Sequence, residues 1–143
     1  SMVTAYCHQV ELADFAGRPE LAARVEPVLA LAEQRGVVLS FAWPLLLPRV
    51  RGLAAMLGGR ALEAREHLER AVALARRLGA GPELGRSRLD LARLLAAAPE
   101  LFSPAEAAAT LRAAAASLRA AGLTPFLARA QALAARLGIG LGE

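Results

Sequence analysis

The sequence of 143 residues contains neither lysine nor asparagine, and it has a single isoleucine and a single cysteine. Without lysine the chain cannot carry the G-x-x-x-x-G-K-[ST] loop, which excludes P-loop nucleotide hydrolysis. Because Cys7 is alone, the chain can form no internal disulfide and cannot assemble a cysteine zinc site by itself. This cysteine content fits a reducing, cytoplasmic compartment, and Cys7 is expected to be a core thiol.

Aromatic residues make up only 4% of the chain, and histidine occurs only as His8 and His67. Neither histidine lies in a local hydrolase signature, so we predict a non-catalytic protein with no cofactor or metal site. His67 follows Glu63 and Glu66, which would suit a metal ion, but a solvated polar face is the simpler interpretation. The most apolar stretch, 37–47, is too short to cross a bilayer, and we expect no membrane partner.

The remaining composition is 56% hydrophobic and consists largely of alanine and leucine, both strong helix formers. All 17 basic residues are arginine, and the net charge is +4. The missing residues need AT-rich codons, which indicates a GC-rich bacterial genome. Because such a genome favours arginine codons, the positive net charge is weak evidence for an anionic partner. Residues 60–93 hold eight arginines and five acidic residues, interleaved rather than clustered. Without aromatics for base stacking, this pattern does not favour direct nucleic acid binding.

Internal similarity recurs at a spacing of 43 residues, which separates Gly36, Gly79 and Gly122. A repeat of this length is typical of arrays of helix pairs that bury their apolar faces against one another. Around the last two glycines the correspondence extends through whole helices, pairing Ala64 with Ala107, Leu68 with Leu111, Ala71 with Ala114, Pro82 with Pro125, Leu84 with Leu127 and Arg86 with Arg129.

Apolar residues within each copy step by three and four, which predicts amphipathic helices. No segment shows sustained strand alternation, and glycines stand where helix C-caps belong. Ser103 and Glu106 have the spacing of a capping box at a helix start. The pattern predicts seven helices, over residues 3–16, 19–35, 40–57, 60–78, 83–97, 103–121 and 124–138.

Prolines interrupt two of these predicted helices. Pro27 lies inside the second, and Pro44 and Pro48 lie inside the third, where each should kink or delay the helix. A kink in the third helix would widen a groove beside Trp43. Alternatively, the third helix starts near Pro44 and Trp43 packs in the core.

The segment Gly59-Arg60-Ala61-Leu62-Glu63-Ala64, followed by Leu68 and Ala71, resembles the second helix of a tetratricopeptide repeat. Gly52 then stands where that family places a small residue in the first helix. The third copy departs from the pattern, with Phe102 at the position of the turn glycine and a longer loop before it. The spacing of 43 residues also exceeds the family's repeat of about 34. In the first copy, Gly17 and Ala22 match the family pattern, and Tyr6 occupies a position where the family prefers a bulky aromatic residue.

Degenerate repeats of this kind are similar to the MalT-like helical arrays of large bacterial signalling proteins, such as LuxR-type regulators and cyclase-linked ATPases. Residues 76–79 and 88–95 look typical of them. The resemblance implies a module of a signalling or transcription-regulatory protein that senses a partner and regulates neighbouring domains of a longer chain. Ser1-Met2, which look like a tag-cleavage scar, also lead us to expect a piece of a longer protein.

The predicted fold is therefore all-α, a single domain over residues 1–143 built as a right-handed stack of about seven helices in antiparallel pairs. First helices would line a concave face that binds a protein, a peptide or other domains of the parent chain. Two alternatives stay open: a small-molecule sensor with a pocket around Trp43 and Tyr6, and a homodimerisation module. The predicted partner-binding residues are Glu11, Asp14, Trp43, Arg49, Met56, Arg86, Asp90 and Arg93.

Overall fold

The computed structural model describes residues 2–40 and 45–142, and helices make up all the regular secondary structure within these ranges. An isolated antiparallel bridge joins Leu39 to Leu46. The predicted all-α fold is confirmed, with eight described helices where seven were expected. They are α1 (Met2–Ala16), α2 (Pro19–Ala23), α3 (Glu26–Gln34), α4 (Leu47–Leu57), α5 (Ala61–Leu78), α6 (Gly81–Ala97), α7 (Pro104–Ala120) and α8 (Thr124–Leu137).

The additional helix arises because the predicted second helix, 19–35, is interrupted. α2 ends at Ala23, and α3 begins at Glu26 with Pro27 in its first turn. A proline inside a helix removes a backbone hydrogen bond and clashes with the preceding turn. In the first turn it removes none, because the N–H groups there have no acceptor within the helix. The helix predicted over 19–35 is therefore two helices, and the disturbance expected at Pro27 is a complete break.

The predicted third helix, 40–57, is also shorter than expected. α4 begins at Leu47 and has Pro48 in its first turn, so Pro48 starts the helix and does not kink it. Before it, the Ser40 N–H donates to the Leu45 carbonyl at 3.0 Å. The predictions for Trp43 and Pro44 lie outside the described residues.

The glycines of the 43-residue repeat mark helix ends, as predicted. Gly36, Gly79 and Gly122 have φ values of +84°, +65° and +69°, a left-handed conformation that other residues adopt only with strain. At the start of α7, the Ser103 side chain accepts a hydrogen bond from the Glu106 N–H at 3.4 Å. The predicted N-cap serine is confirmed.

The chain divides into two compact units, Ser1–Ala71 and Val72–Glu143, and the boundary falls within α5. Each unit has its own apolar core of small and branched side chains. The first core contains Cys7, Val10, Ala13, Ala22, Val25, Leu29, Ala32, Leu45, Leu47, Val50, Leu53 and Ala54. The second contains Leu89, Ala92, Leu111, Ala114, Leu118, Ala130, Leu133 and Ala134.

Two glycines allow neighbouring helices to approach closely. In the first unit, a Cβ on Gly52 of α4 would lie 2.6 Å from Cγ of Leu68 in α5. In the second unit, a Cβ on Gly85 of α6 would lie 2.8 Å from Cδ2 of Leu118 in α7. Both leucines are fully buried, so neither side chain has free space into which it can move. Each glycine therefore sets the distance between two helices.

Replacing Gly52 with alanine should destabilise the protein, because the added methyl group would overlap Leu68. Overpacking costs about 1–3 kcal/mol, which should exceed the roughly 1 kcal/mol that alanine contributes in a helix interior. Urea unfolding followed by circular dichroism should show a net loss of up to about 2 kcal/mol. Gly81→Ala is the matched control, since nothing lies within 4 Å of a Cβ there, and it should keep or raise the stability. A Gly52→Ala protein as stable as Gly81→Ala would contradict this packing.

Candidate functional site

Two of the predicted partner-binding residues of the first unit, Glu11 and Arg49, form an ion pair between α1 and α4. Arg49 is 1% exposed, and its Nη2 donates to Oε1 of Glu11 at 2.6 Å. The Glu11 side chain is 21% exposed and forms the solvent side of the pair. Asp14 is half-buried on α1, and Met56 is half-buried against the core of this unit. The structure thus brings Glu11 and Arg49 together and uses Arg49 inside the fold.

A second group of ion pairs joins α3, α4 and α5 in the first unit. Glu33 accepts hydrogen bonds from Arg51, at 2.6 Å, and from Arg70. His67 is 6% exposed and lies 3.5 Å from Glu63, contrary to the solvated face expected of it. Burial lowers the pKa of His67, and the positive charges of Arg51 and Arg70 lower it further. The imidazole is therefore a neutral core group at physiological pH.

Metal binding is not suggested by these clusters. Within residues 2–40 and 45–142, no three His, Cys, Asp or Glu side chains lie close enough together to hold a metal ion. Cys7 is fully buried in the first core, as predicted for a core thiol. No described helix is long and apolar enough to cross a bilayer.

In the second unit, the predicted row on α6 is fixed by its neighbours. Asp90 is 7% exposed and accepts a hydrogen bond from Nη1 of Arg93 at 3.0 Å. Arg93 keeps 34% of its side chain exposed. The Arg86 guanidinium lies over the ring of Phe126 in α8, 4.3 Å from its centroid, and Arg129 lies 5.2 Å from the same centroid. The two arginines of the row are thus half-exposed on either side of the buried Asp90, and Arg86 lies on an aromatic ring.

Two features of this unit were not predicted. The place of Phe126 under Arg86 depends on how α6 packs with α8. Arg88 donates to Oγ of Ser117 on α7, a contact between residues 29 positions apart. Local spacing carries no signal for either contact, because both arise only when helices pack together.

An apolar cleft of about 330 Å³ lies at the end of the second unit where α6 and α8 finish and α7 begins. Leu95 and Ala107 form buried parts of its wall, and the exposed Leu137 stands at its rim. The other lining residues are Ala96, Pro99, Pro104 and Ile139. The cleft has the size and lining of a site for a small apolar molecule.

The outer face of α1 also exposes apolar side chains, which bears on the predicted homodimer. Leu12 and Phe15 are 65% and 78% exposed and lie opposite the buried residues Cys7 and Val10. A helix of 15 residues is only about 22 Å long. One such face falls well short of the roughly 800 Å² per partner that a stable interface buries. By itself, α1 does not support a stable dimer.

Comparisons with protein-family models, with curated proteins and with solved structures found no match to this chain. The resemblance to tetratricopeptide repeats therefore stays a prediction. Any assignment of function depends on the geometry described above.

Replacing Glu11 with glutamine should destabilise the protein, because it removes the negative charge beside a buried guanidinium. Breaking a buried pair costs about 3–5 kcal/mol, and the partial exposure of Glu11 places the expected loss near 3 kcal/mol. Urea unfolding measures this loss. Glu69→Gln removes only an exposed pair with Arg65, so it should cost less than about 0.5 kcal/mol. Equal stabilities of the two variants would show that Arg49 does not need the Glu11 charge.

Proposed function

We propose that this chain is a non-catalytic helical-repeat module of a bacterial signalling or transcription-regulatory protein, and that it binds a protein or peptide partner through α6. The observation that carries the proposal is the pair of half-exposed arginines, Arg86 and Arg93, with the buried Asp90 between them. Regulation of neighbouring domains in the parent chain is the role implied by the resemblance to tetratricopeptide arrays.

The physical support is that the row is already ordered. Arg93 is held by Asp90, and Arg86 is held by the Phe126 ring. Fixing a flexible arginine at an interface costs about 0.5–1.5 kcal/mol, and side chains ordered before binding avoid most of that cost. Arginine and aromatic residues also contribute most often to the energetic centre of protein interfaces. The guanidinium groups would donate to carboxylates or backbone carbonyls of an extended peptide.

Selection from a displayed library of random peptides, with the intact chain as bait, tests this proposal. Peptides recovered by the wild-type protein should bind at least about tenfold more weakly to Arg86→Ala or to Arg93→Ala, measured by fluorescence anisotropy. Arg77→Ala is the control, since Arg77 is an exposed arginine on α5 outside the row. Recovery of no peptide, or equal binding to all three variants, would contradict a recognition surface on α6.

A second candidate function, the sensing of a small apolar molecule, is favoured by the cleft at the end of the second unit. Its lining is formed largely by Leu, Ala, Pro and Ile side chains, and its volume of about 330 Å³ lies within the range of ligand pockets. Tyr6, predicted to line a pocket with Trp43, is not among the residues that line this cleft, and Trp43 lies outside the described residues.

The neutral fluorescent probe N-phenyl-1-naphthylamine tests the second candidate. Its fluorescence should rise saturably with the wild-type protein, and Ala96→Leu should weaken binding at least about fivefold because the larger side chain occupies the cleft. Ala97→Leu, at the exposed neighbouring position, is the matched control and should bind as wild type does. Identical titrations of the two variants would place the probe elsewhere.

A further inference from the structure

One wall of the apolar cleft in the second unit is not helical. Ile139 lines the cleft, and it lies two residues beyond the end of α8 at Leu137. The other lining residues belong to α6, α7, α8 or the connection between α6 and α7. Residues 138–142, here called the strap, contain this wall. Because the strap lies outside the helices, it can leave the cleft without unwinding one of them.

The strap begins with a turn that folds the chain back onto the second unit. Gly138 has a φ value of +68°, a left-handed conformation that favours glycine. Its N–H donates to the Ala135 carbonyl at 3.3 Å, and the Ile139 N–H donates to the Ala134 carbonyl at 2.9 Å. These two bonds form the Schellman arrangement of a helix C-terminus. The turn places Ile139 against the second core, where its side chain is half-buried.

Beyond the turn, a side chain of α7 holds the strap. Nε of Arg112 donates to the Gly140 carbonyl at 2.9 Å, and Arg112 is exposed. Leu141 packs half-buried against the second core. An exposed hydrogen bond and half-buried side chains hold a segment less firmly than a buried core does. The strap is therefore the least firmly held part of the cleft wall.

Gly140 favours detachment of the strap. A Cβ at this position would meet nothing within 4 Å, and the φ value of Gly140 is not positive. Neither packing nor backbone conformation therefore requires glycine there. Glycine gives a detached segment more backbone conformations than alanine does, which favours the detached state. Arg112 and Gly140 thus have opposite effects on the strap.

We propose that the strap is a gate of the cleft, which opens by rotation about Gly138 to admit a small apolar molecule and is held closed by Arg112. The gate rests on the second candidate function, because it acts only if the cleft binds a ligand. In the closed state Ile139 completes the apolar wall. In the open state Ile139 leaves the wall, and its hydrogen bond to Ala134 is broken. Opening therefore sets the rates at which the molecule enters and leaves.

Hydrogen exchange of the Ile139 amide, followed by NMR on the intact chain without ligand, measures the opening. Ile139 is the single isoleucine of the chain, so selective labelling identifies its resonance. Arg112→Ala should speed this exchange about two- to tenfold, because the closed strap loses a hydrogen bond. Gly140→Ala should slow it about two- to fivefold, because the open strap has fewer conformations. The Leu123 amide, which donates to the Leu118 carbonyl at the end of α7, is the internal control and should not change.

Stopped-flow mixing with N-phenyl-1-naphthylamine relates the opening to binding. Arg112→Ala should raise the association and dissociation rates of the probe about two- to tenfold, and Gly140→Ala should lower both. Arg119→Ala is the matched control, since Arg119 is another exposed arginine about 10 Å further along α7, and its rates should equal those of the wild type.

The outcomes separate the gate from the cleft. Equal exchange of the Ile139 amide in the wild type and in Arg112→Ala would show that Arg112 does not hold the strap. Faster exchange with saturable binding of the probe at unchanged rates would overturn the gate alone. A wild-type protein that gives no saturable signal with the probe would contradict the cleft as a ligand site, and the gate with it.

Discussion

The close approach of helices at Gly52 and Gly85 is the constraint on which the other features depend. Each glycine accepts a buried leucine from the next helix, where a methyl group would already collide. Alanine and leucine dominate the two cores, so apolar side chains fill the interior only if the helix axes lie near one another. Small residues at the contacts make that spacing possible. The short distance between helices also brings their polar groups within hydrogen-bond distance of one another.

Charged residues at the contacts of α4 with α1 and α3 are paired. Helices that approach closely leave little room for water, so a charge at the contact needs a partner on the adjacent helix. Arg49 obtains one from Glu11, and Arg51 obtains one from Glu33. Two half-buried arginines of α6 make other contacts: Arg86 lies over the Phe126 ring, and Arg88 donates to the Ser117 hydroxyl.

Local patterns in the sequence were sufficient for the helical class and for most helix ends. Glycine at a left-handed position, proline in a first turn and serine at an N-cap act within a few residues, which is why Gly79, Gly122 and Ser103 were placed correctly. Pro27 indicated a disturbance of the second helix, but two separate helices were not predicted, because the apolar period continues across the break. A proline at that point ends one helix and starts the next without disturbing the pattern.

The candidate sites were less predictable because they depend on packing between helices. The spacing of Arg86, Asp90 and Arg93 in the sequence was enough to predict that they form a row, since residues at these intervals share one face of a helix. It could not show that Arg86 stacks on Phe126, or that Arg88 meets Ser117. Arg49 illustrates the opposite error, because a charge expected to face a groove is buried against Glu11.

Nuclear Overhauser spectroscopy of the folded chain measures the two helix contacts most directly. The account predicts cross-peaks between the Gly52 Hα protons and the Leu68 methyl groups, and between the Gly85 Hα protons and the Leu118 methyl groups. Their absence in a protein that is helical by circular dichroism would contradict the close packing from which the sites are derived.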